Sequence, residues 1–217
     1  MFDVVILTVI PDLTRKEFDA LLPLVSQDKR ERIKKIRFFR DAQNCLLGDI
    51  IARVEICRYS EFSMEQLKFT TNAYGKLLLV NCPYYHISIS HSGHYVACAV
   101  ADEPVGIDIE LLKPIEPKVA ERFFTSDEVD YIINGDYERC FYEVWTKKES
   151  RIKWEGKGLY KPLTSFSVFE FNEREQLTYH EVFQNDEAVC HVCSKKEVSP
   201  IIRAVNSVSF VHGVISL

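Results

Sequence analysis

Acidic and basic side chains in the second half of the chain have a spacing that suits chemistry at a phosphate group. Asp108 and Glu110 lie two residues apart in the apolar run 105–110, which predicts a strand with both carboxylates on one face. Glu149 and Lys153 lie four residues apart in the run 145–154, which predicts a helix with both side chains on one face. Mg²⁺ prefers carboxylate and phosphate oxygens as ligands. These residues therefore predict a Mg²⁺-dependent reaction at a pyrophosphate.

The composition is that of a compact, soluble enzyme. The chain has 217 residues, of which 47% are hydrophobic and 12% aromatic, enough for a substantial core. Its 27 basic and 32 acidic residues give a net charge of −5, so we expect no binding to nucleic acid. The apolar run 4–10 ends at Pro11, and no apolar run approaches the length of a membrane span. We therefore expect neither a secretory signal nor a membrane partner.

The seven cysteines indicate reduced thiols and a cytoplasmic protein, because their number is odd and their positions are scattered. Cys190 and Cys193 are close together, but a zinc site normally needs a second ligand pair at matching spacing. In a strand, residues three apart face opposite sides. We therefore interpret both as ordinary strand cysteines.

The order of predicted elements indicates two similar halves separated by a turn at 102–104. The first half has a helical stretch at about 28–59 and strands near 68–71, 86–90 and 95–101. The second half has the strand at 105–110, helices within 117–134 and 137–154, and strands near 165–171, 177–183, 188–194 and 207–215. Thr125 and Glu128 form a T-x-x-E capping box that marks the start of one helix. We predict an α+β fold with an N-terminal lobe at 1–103 and a C-terminal lobe at 104–217.

Seven short motifs, in this order and spacing, resemble those of one enzyme family. They are L-L-G-D at 46–49, Y-G-K at 74–76, I-S-I-S-H-S-G at 87–93, G-I-D-I-E at 106–110, R-F-F at 122–124, W-T-K-K-E-S at 145–150 with Lys153, and G-K-G-L at 156–159. The chain resembles a 4′-phosphopantetheinyl transferase of the monomeric, two-lobed Sfp type over about residues 28–170.

The resemblance implies two similar α+β subdomains related by pseudo-twofold symmetry, with one active site between them. It implies transfer of the 4′-phosphopantetheine arm of coenzyme A to a serine of an apo acyl or peptidyl carrier protein, with release of 3′,5′-ADP. It also implies a monomer that depends on Mg²⁺, for which Mn²⁺ can substitute.

The resemblance further assigns roles to individual residues. Asp108, Glu110 and Glu149 would be the metal ligands, and Glu149 would also activate the acceptor serine. Lys153 would bind the pyrophosphate and stabilise the charge that builds on the leaving phosphate. Trp145 would pack in the core. The residues that would contact coenzyme A are Lys29, Arg32, Tyr74, Gly75, Lys76, Ser90, His91, Lys148 and Lys153.

The chain departs from the family pattern at two places. Asn44 and Cys45 stand where the family tends to have Arg-Thr, which puts one phosphate contact and the affinity for coenzyme A in question. Leu77 stands where the family often has proline, which leaves the conformation of the preceding loop open. The basic run 29–40 also has an ordinary interpretation as a solvated helix face.

Two other functions stay open. A protein that binds coenzyme A or a carrier without catalysis would not need Asp108, Glu110, Glu149 and Lys153 together. A Mg²⁺-dependent nuclease or phosphodiesterase would use the same carboxylates, but the acidic balance of the chain argues against it.

The segment 111–119 follows the strand that carries the carboxylates, and it contains apolar residues and two prolines. It is predicted to flank the cleft and to help bind the carrier. The alternative is an ordinary connector whose apolar residues pack inward.

Overall fold

The computed structural model describes residues 1–116, 118–158, 161–170, 176–195 and 199–216, so Leu159 of the G-K-G-L motif lies outside the described residues. The strands are β1 (Phe2–Thr8), β2 (Phe69–Thr71), β3 (Leu77–Leu79), β4 (His86–Ser92), β5 (Tyr95–Ala101), β6 (Val105–Leu111), β7 (Thr178–Gln184), β8 (Ala188–Ser194) and β9 (Ile201–Asn206). The α-helices are α1 (Arg15–Leu21), α2 (Gln27–Lys34), α3 (Phe39–Cys57), α4 (Lys118–Phe123), α5 (Ser126–Asn134), α6 (Tyr137–Glu155) and α7 (Ser207–Ile215).

The strands form two sheets, and each sheet is covered by one long helix. The larger sheet has the order β2-β3-β4-β5-β1-β9, and the smaller one has the order β6-β8-β7. Neighbouring strands are antiparallel except β1 and β9, which are parallel. Helix α3 packs on β4 and β5, and α6 packs on β6 and β8. This arrangement confirms the predicted α+β class with two subdomains.

The two lobes meet through an apolar layer between the sheets. Strand β1 alternates between two sides: Val5 and Leu7 pack beneath α3, whereas Val4 and Ile6 face the smaller sheet. Residues of β6 and β8, including Ile107, pack against them from the second lobe. Both faces of the central strands are buried, which fits their almost continuously apolar sequences. The two lobes share this apolar layer, and each also has a core of its own.

The position of α6 depends on a glycine in β6. A Cβ atom added to Gly106 would lie 1.9 Å from the backbone oxygen of Ser150 and 2.4 Å from the backbone nitrogen of Trp154. Only a residue without a side chain lets the helix lie this close to the strand. The close approach brings the helical residues Glu149 and Lys153 alongside the carboxylates of β6.

The end of the chain differs from its prediction. Residues 207–215 were predicted to form a strand, but they form helix α7, whose N-cap Asn206 accepts a hydrogen bond from the Ser209 backbone. Val211 and Val214 recur at helical spacing and are buried, which explains why a helix is preferred. Strand β9 adds to the larger sheet beside β1, so the end of the chain lies in the first lobe and not, as predicted, in the second.

Other predicted elements also differ from the structure. The helical stretch at 28–59 is divided into α2 and α3, because the backbone is extended at Phe38. In place of the strand near 165–171, a 3₁₀ turn at Leu163–Ser165 is followed by residues 166–170, which form neither helix nor strand. Leu112 and Ile115, predicted to face a carrier, pack against the second-lobe core, which favours the connector interpretation of segment 111–119. The capping box at Thr125 and the two buried cysteines of β8 are as predicted.

No helix in the described ranges is both long and apolar enough to cross a membrane.

A cluster of charged side chains holds β9 against the first lobe. Arg203 of β9 donates a hydrogen bond to Asp3 Oδ1 on β1 at 2.9 Å and another to Glu55 on α3. Asp3 is 1% exposed and Glu55 is 4% exposed, and burial raises the pKa of Glu55. The Arg203 guanidinium group therefore balances the negative charge of two buried carboxylates, one on β1 and one on α3.

We expect Arg203→Met to lower the free energy of unfolding by about 3–5 kcal/mol, because it leaves two buried carboxylates without their nearest cation. Arg58→Met is the matched control, since Arg58 Nη1 lies 3.8 Å from Glu55 and its side chain is 50% exposed. This control should cost about 1 kcal/mol or less. Urea unfolding of both variants checks the difference, and equal losses would contradict the role given to Arg203.

Candidate active site

Strand β4 holds the two carboxylates of β6 through its serines. The Ser90 hydroxyl donates to Asp108 Oδ1 at 2.8 Å, and the Ser92 hydroxyl donates to Glu110 Oε2 at 2.7 Å. Ser88 accepts a hydrogen bond from the Ile107 backbone at 3.0 Å. Serines at alternate positions of β4 share one face, and that face is turned towards β6. The carboxylates are therefore oriented by the opposite lobe.

Helix α6 adds a third carboxylate and a cation to this pair. Lys153 Nζ lies 2.7 Å from Asp108 Oδ1. Glu149 lies one turn earlier on the same face of the helix. Asp108 Oδ2 and Glu149 Oε1 are buried oxygens that have no hydrogen-bond donor among the described residues. Two acidic oxygens without partners therefore lie at the junction of the lobes.

The site has an excess of negative charge. Burial, followed by the nearby Asp108, raises the pKa of Glu149 to about 7. Burial also raises the pKa of Glu110. Within the described part of the chain, no group of three His, Cys, Asp or Glu side chains is already arranged to hold a metal ion. In this state Lys153 is the counter-ion of Asp108.

A cavity of about 390 Å³ opens between the lobes beside these residues. Such a volume falls within the range of small-molecule sites. The first lobe supplies a basic wall, made of Lys29 and Arg32 on α2. His91 of β4 also lines this side, and burial lowers its pKa. The remaining predicted site residues along this cavity are Tyr74, Gly75, Lys76, Glu149 and Lys153.

The basic wall is built by local structure. Helix α2 begins at Ser26, whose side chain accepts a hydrogen bond from the Lys29 backbone. Lys29 and Arg32 lie three residues apart and so share a face of this helix. Lys29 Nζ lies 3.7 Å from Asp49 Oδ2, and this carboxylate also accepts a hydrogen bond from Arg53. The wall can bind an anion although the whole chain is acidic.

Lys148 was predicted to contact a phosphate, and this prediction is wrong. Its side chain is completely buried, and its ammonium group lies 2.8 Å from Glu128 Oε2. It also donates to the backbone oxygen of Leu163 at 2.8 Å. Lys148 faces the second-lobe core, where Trp145 packs on Phe141 as predicted. Neighbouring residues of a helix do not share a face, so Lys148 points away from the cavity that Glu149 lines.

Two further predicted contacts also differ from the structure. Ser90 is 8% exposed and its hydroxyl binds Asp108, so it supports a carboxylate and not coenzyme A. Lys76 was predicted to contact coenzyme A, but its ammonium group donates to backbone oxygens of the second lobe, including Lys153 O at 2.7 Å. Only the backbone and the hydrocarbon part of Lys76 remain available to the cavity.

Three residues that support the site were not predicted from the sequence: Ser88, Ser92 and Asn72, whose Nδ2 donates a hydrogen bond to the Gly156 oxygen at the end of α6. The alternating serines of the I-S-I-S-H-S-G motif were visible, and they could have indicated a polar face on β4. Asn72 had no recognisable sequence signal. At the departures from the family pattern, Cys45 lines the cavity, whereas Asn44 donates to the Gly93 backbone oxygen at 2.9 Å.

Both lobes of the chain match families of known proteins. Residues 104–208 match the family model of the 4′-phosphopantetheinyl transferase superfamily, and residues 12–103 match that of the N-terminal region of 4′-phosphopantetheinyl transferases. The chain therefore belongs to the 4′-phosphopantetheinyl transferase family and is an enzyme of the transferase class.

Individual relatives cover most of the chain. The 4′-phosphopantetheinyl transferase Sfp of Bacillus subtilis is 40% identical over 159 residues, which cover 72% of this chain and 71% of that protein. The transferase psf-1 of Bacillus pumilus is 41% identical over 157 residues, covering 71% and 67%. The transferase gsp of Aneurinibacillus migulanus is 31% identical over 210 residues, covering 89% and 86%.

The raised pKa of Glu149 predicts how the stability of the metal-free protein depends on pH. The folded state holds this proton up to about pH 7, whereas the ordinary pKa is 4.5. The protonated Glu149 carboxyl group therefore stabilises the folded state fully below its ordinary pKa. This stabilisation is lost as the pH rises through about 7, the pKa of Glu149 in the folded state. We expect wild type to lose stability relative to Glu149→Gln between about pH 5 and about pH 8. Urea unfolding in chelator measures this, and a constant difference between the two proteins would contradict it.

Proposed function

We propose that this enzyme transfers the 4′-phosphopantetheine arm of coenzyme A to a serine of an apo acyl or peptidyl carrier protein. The serine oxygen forms a bond to the phosphorus that carries the arm, and the bond from that phosphorus to the bridging oxygen breaks. The products are the modified carrier and 3′,5′-ADP. The observation that carries the proposal is one cavity lined by the basic wall and by Glu149 and Lys153, with Lys153 bound to Asp108.

Coenzyme A has phosphates at two places, and the cavity has cations at two places. Lys29 and Arg32 supply the positive charge of the wall that suits the 3′-phosphate, because they lie together on the first lobe. Burial lowers the pKa of His91, so this residue would bind the phosphate as an uncharged hydrogen-bond donor. Lys153 lies at the junction of the lobes and suits the pyrophosphate. A fixed cation there stabilises the charge that develops on the leaving oxygen.

The donor set supports a divalent cation at Asp108, Glu110 and Glu149. Mg²⁺ commonly binds one or two carboxylates together with substrate phosphates. The buried, unpartnered oxygens of Asp108 and Glu149 and the raised pKa of Glu149 indicate a site that lacks positive charge. Bound Mg²⁺, or Mn²⁺ in its place, would neutralise charge on the pyrophosphate. Lys153 binds Asp108 Oδ1 and leaves Oδ2 open to a cation, and the pyrophosphate would offer the ammonium group of Lys153 a further partner.

Glu149 is the proposed general base for the acceptor serine. It lines the cavity on the same face of α6 as Lys153. Its carboxylate can therefore reach a hydroxyl group that enters the cavity and accept its proton. The proton of the serine hydroxyl would pass to Glu149 as the oxygen attacks.

The enzyme is proposed to act as a cytoplasmic monomer without a nucleic-acid or membrane partner. Its reduced cysteines and its net charge of −5 support this. The carrier would approach the mouth of the cavity between the lobes, where its serine can reach Glu149.

One assay tests the proposed function. The protein is incubated with coenzyme A, Mg²⁺ and an apo acyl or peptidyl carrier protein, and the intact mass of the carrier is measured. We expect the mass to increase by one phosphopantetheine group, and a carrier with its acceptor serine changed to alanine should stay unmodified. An unchanged carrier with tight coenzyme A binding would indicate a binding protein, and hydrolysis of coenzyme A would indicate a phosphodiesterase.

Removal of the metal should abolish transfer. We expect no carrier modification in excess EDTA and recovery with Mg²⁺ or Mn²⁺, because the carboxylates are proposed to hold a cation against the pyrophosphate. Asp108→Asn should lose nearly all activity and keep a cooperative unfolding transition. Full activity in chelator would remove the metal from the proposal.

Loss of the proposed base should lower kcat. Glu149→Gln should reduce kcat by about 10²-fold or more, since general-base catalysis typically contributes ~10²–10⁴-fold. Glu138→Gln, in the first turn of the same helix, is the control and should stay close to wild type. A Glu149→Gln enzyme within a few-fold of wild type would mean that another group accepts the proton.

A further inference from the structure

Lys76 connects the two lobes through its ammonium group. Nζ donates hydrogen bonds to the backbone oxygens of Lys153 at 2.7 Å, Trp154 at 3.0 Å and Val105 at 3.3 Å. Lys76 belongs to the first lobe, and all three acceptors belong to the second. An ammonium group has three N–H donors, so these contacts use all of them.

Two of the three acceptors lie in the last turn of α6. The final carbonyl groups of a helix have no partner within the helix, and a cation is favoured at this end. The Ile152 oxygen already accepts a hydrogen bond from the backbone of Gly156 at 3.0 Å. Lys76 supplies donors to the next two carbonyls, those of Lys153 and Trp154. It therefore caps the helix that carries Glu149.

Asn72 makes a second connection to the same helix end. Its Nδ2 donates to the Gly156 oxygen at 2.7 Å, and its Oδ1 accepts from the backbones of Tyr74 at 2.9 Å and Lys76 at 3.0 Å. Gly156 has a φ angle of 68°, and a Cβ atom there would lie 2.7 Å from Lys76 Cδ. We call the pair Asn72 and Lys76 the lobe clasp.

The lobe clasp lies next to the reacting groups. Lys76 binds the backbone of Lys153, and the side chain of Lys153 reaches Asp108. Tyr74 and Gly75, which lie between the two clasp residues, line the cavity opposite Glu149. A shift of the clasp would therefore move the last turn of α6 relative to the cavity.

We infer that Lys76 is a positioning residue, which fixes the last turn of α6 and so holds Lys153 at the pyrophosphate. Its ammonium group does not bind coenzyme A. This inference rests on the function proposed above.

The test compares coenzyme A binding with turnover. For Lys76→Met and Asn72→Ala, isothermal titration should give one bound coenzyme A with a Kd within about threefold of wild type. We expect kcat to fall by about tenfold or more, because small displacements of catalytic groups are costly. Asn72→Ala is the second arm, since Asn72 is not among the residues that line the cavity. Lys68→Met, a change of an exposed lysine just before β2, should leave both quantities unchanged.

A double-variant cycle tests whether Lys76 acts through Lys153. Lys76→Met combined with Lys153→Ala should lose no more kcat than Lys153→Ala alone. Independent, multiplying losses would overturn the inference. A Kd for coenzyme A that rises more than about tenfold in Lys76→Met, with kcat unchanged, would also overturn the inference. Such a result would show that Lys76 binds coenzyme A directly. If wild type and Lys68→Met fail to modify a carrier, the proposed function fails instead.

Discussion

The active site depends on the close approach of α6 to β6 at Gly106. The helix backbone at Ser150 occupies the space where any other residue would have its Cβ atom. A side chain at this position would lift the helix from the strand. Glu149 and Lys153 would then move away from Asp108, although their order in the sequence would be unchanged. The chemistry proposed for this enzyme therefore requires glycine at position 106. It equally requires the four charged side chains of the site, which are Asp108, Glu110, Glu149 and Lys153.

This packing brings carboxylates together in a place that is partly shielded from water. Burying like charges is unfavourable, and the raised pKa values of Glu149 and Glu110 are the consequence. The serine hydroxyls of β4 and the Lys153 ammonium group offset part of this cost by hydrogen bonding. The remaining deficit of positive charge makes the site a favourable one for a divalent cation.

The two lobes contribute different parts of one site. The first lobe provides the basic wall and the serines of β4, and the second provides the carboxylates and Lys153. Each lobe alone would therefore hold only part of what the substrate needs. The apolar layer between the sheets, in which Ile6 packs with Ile107, keeps these parts in register. Arg203 and its carboxylate partners hold β9 beside β1, where β9 forms the last strand of the larger sheet in the first lobe.

Local sequence patterns alone determine the fold class of this protein and the identity of its central charged residues. The alternation in β6, the helical spacing of Glu149 and Lys153, the capping box at Thr125 and the order of the motifs predicted the class, the lobes and the central charged residues. Such patterns depend on neighbours in sequence, and they state which residues share a face. They do not state what covers that face. Only the tertiary structure directed Lys148 into the core, Lys76 to the end of α6 and the Ser90 hydroxyl to Asp108, because these partners lie 15 or more residues away in sequence. The same limit applies to β9, whose place beside β1 is decided by strand pairing and by a charge cluster that no local pattern contains.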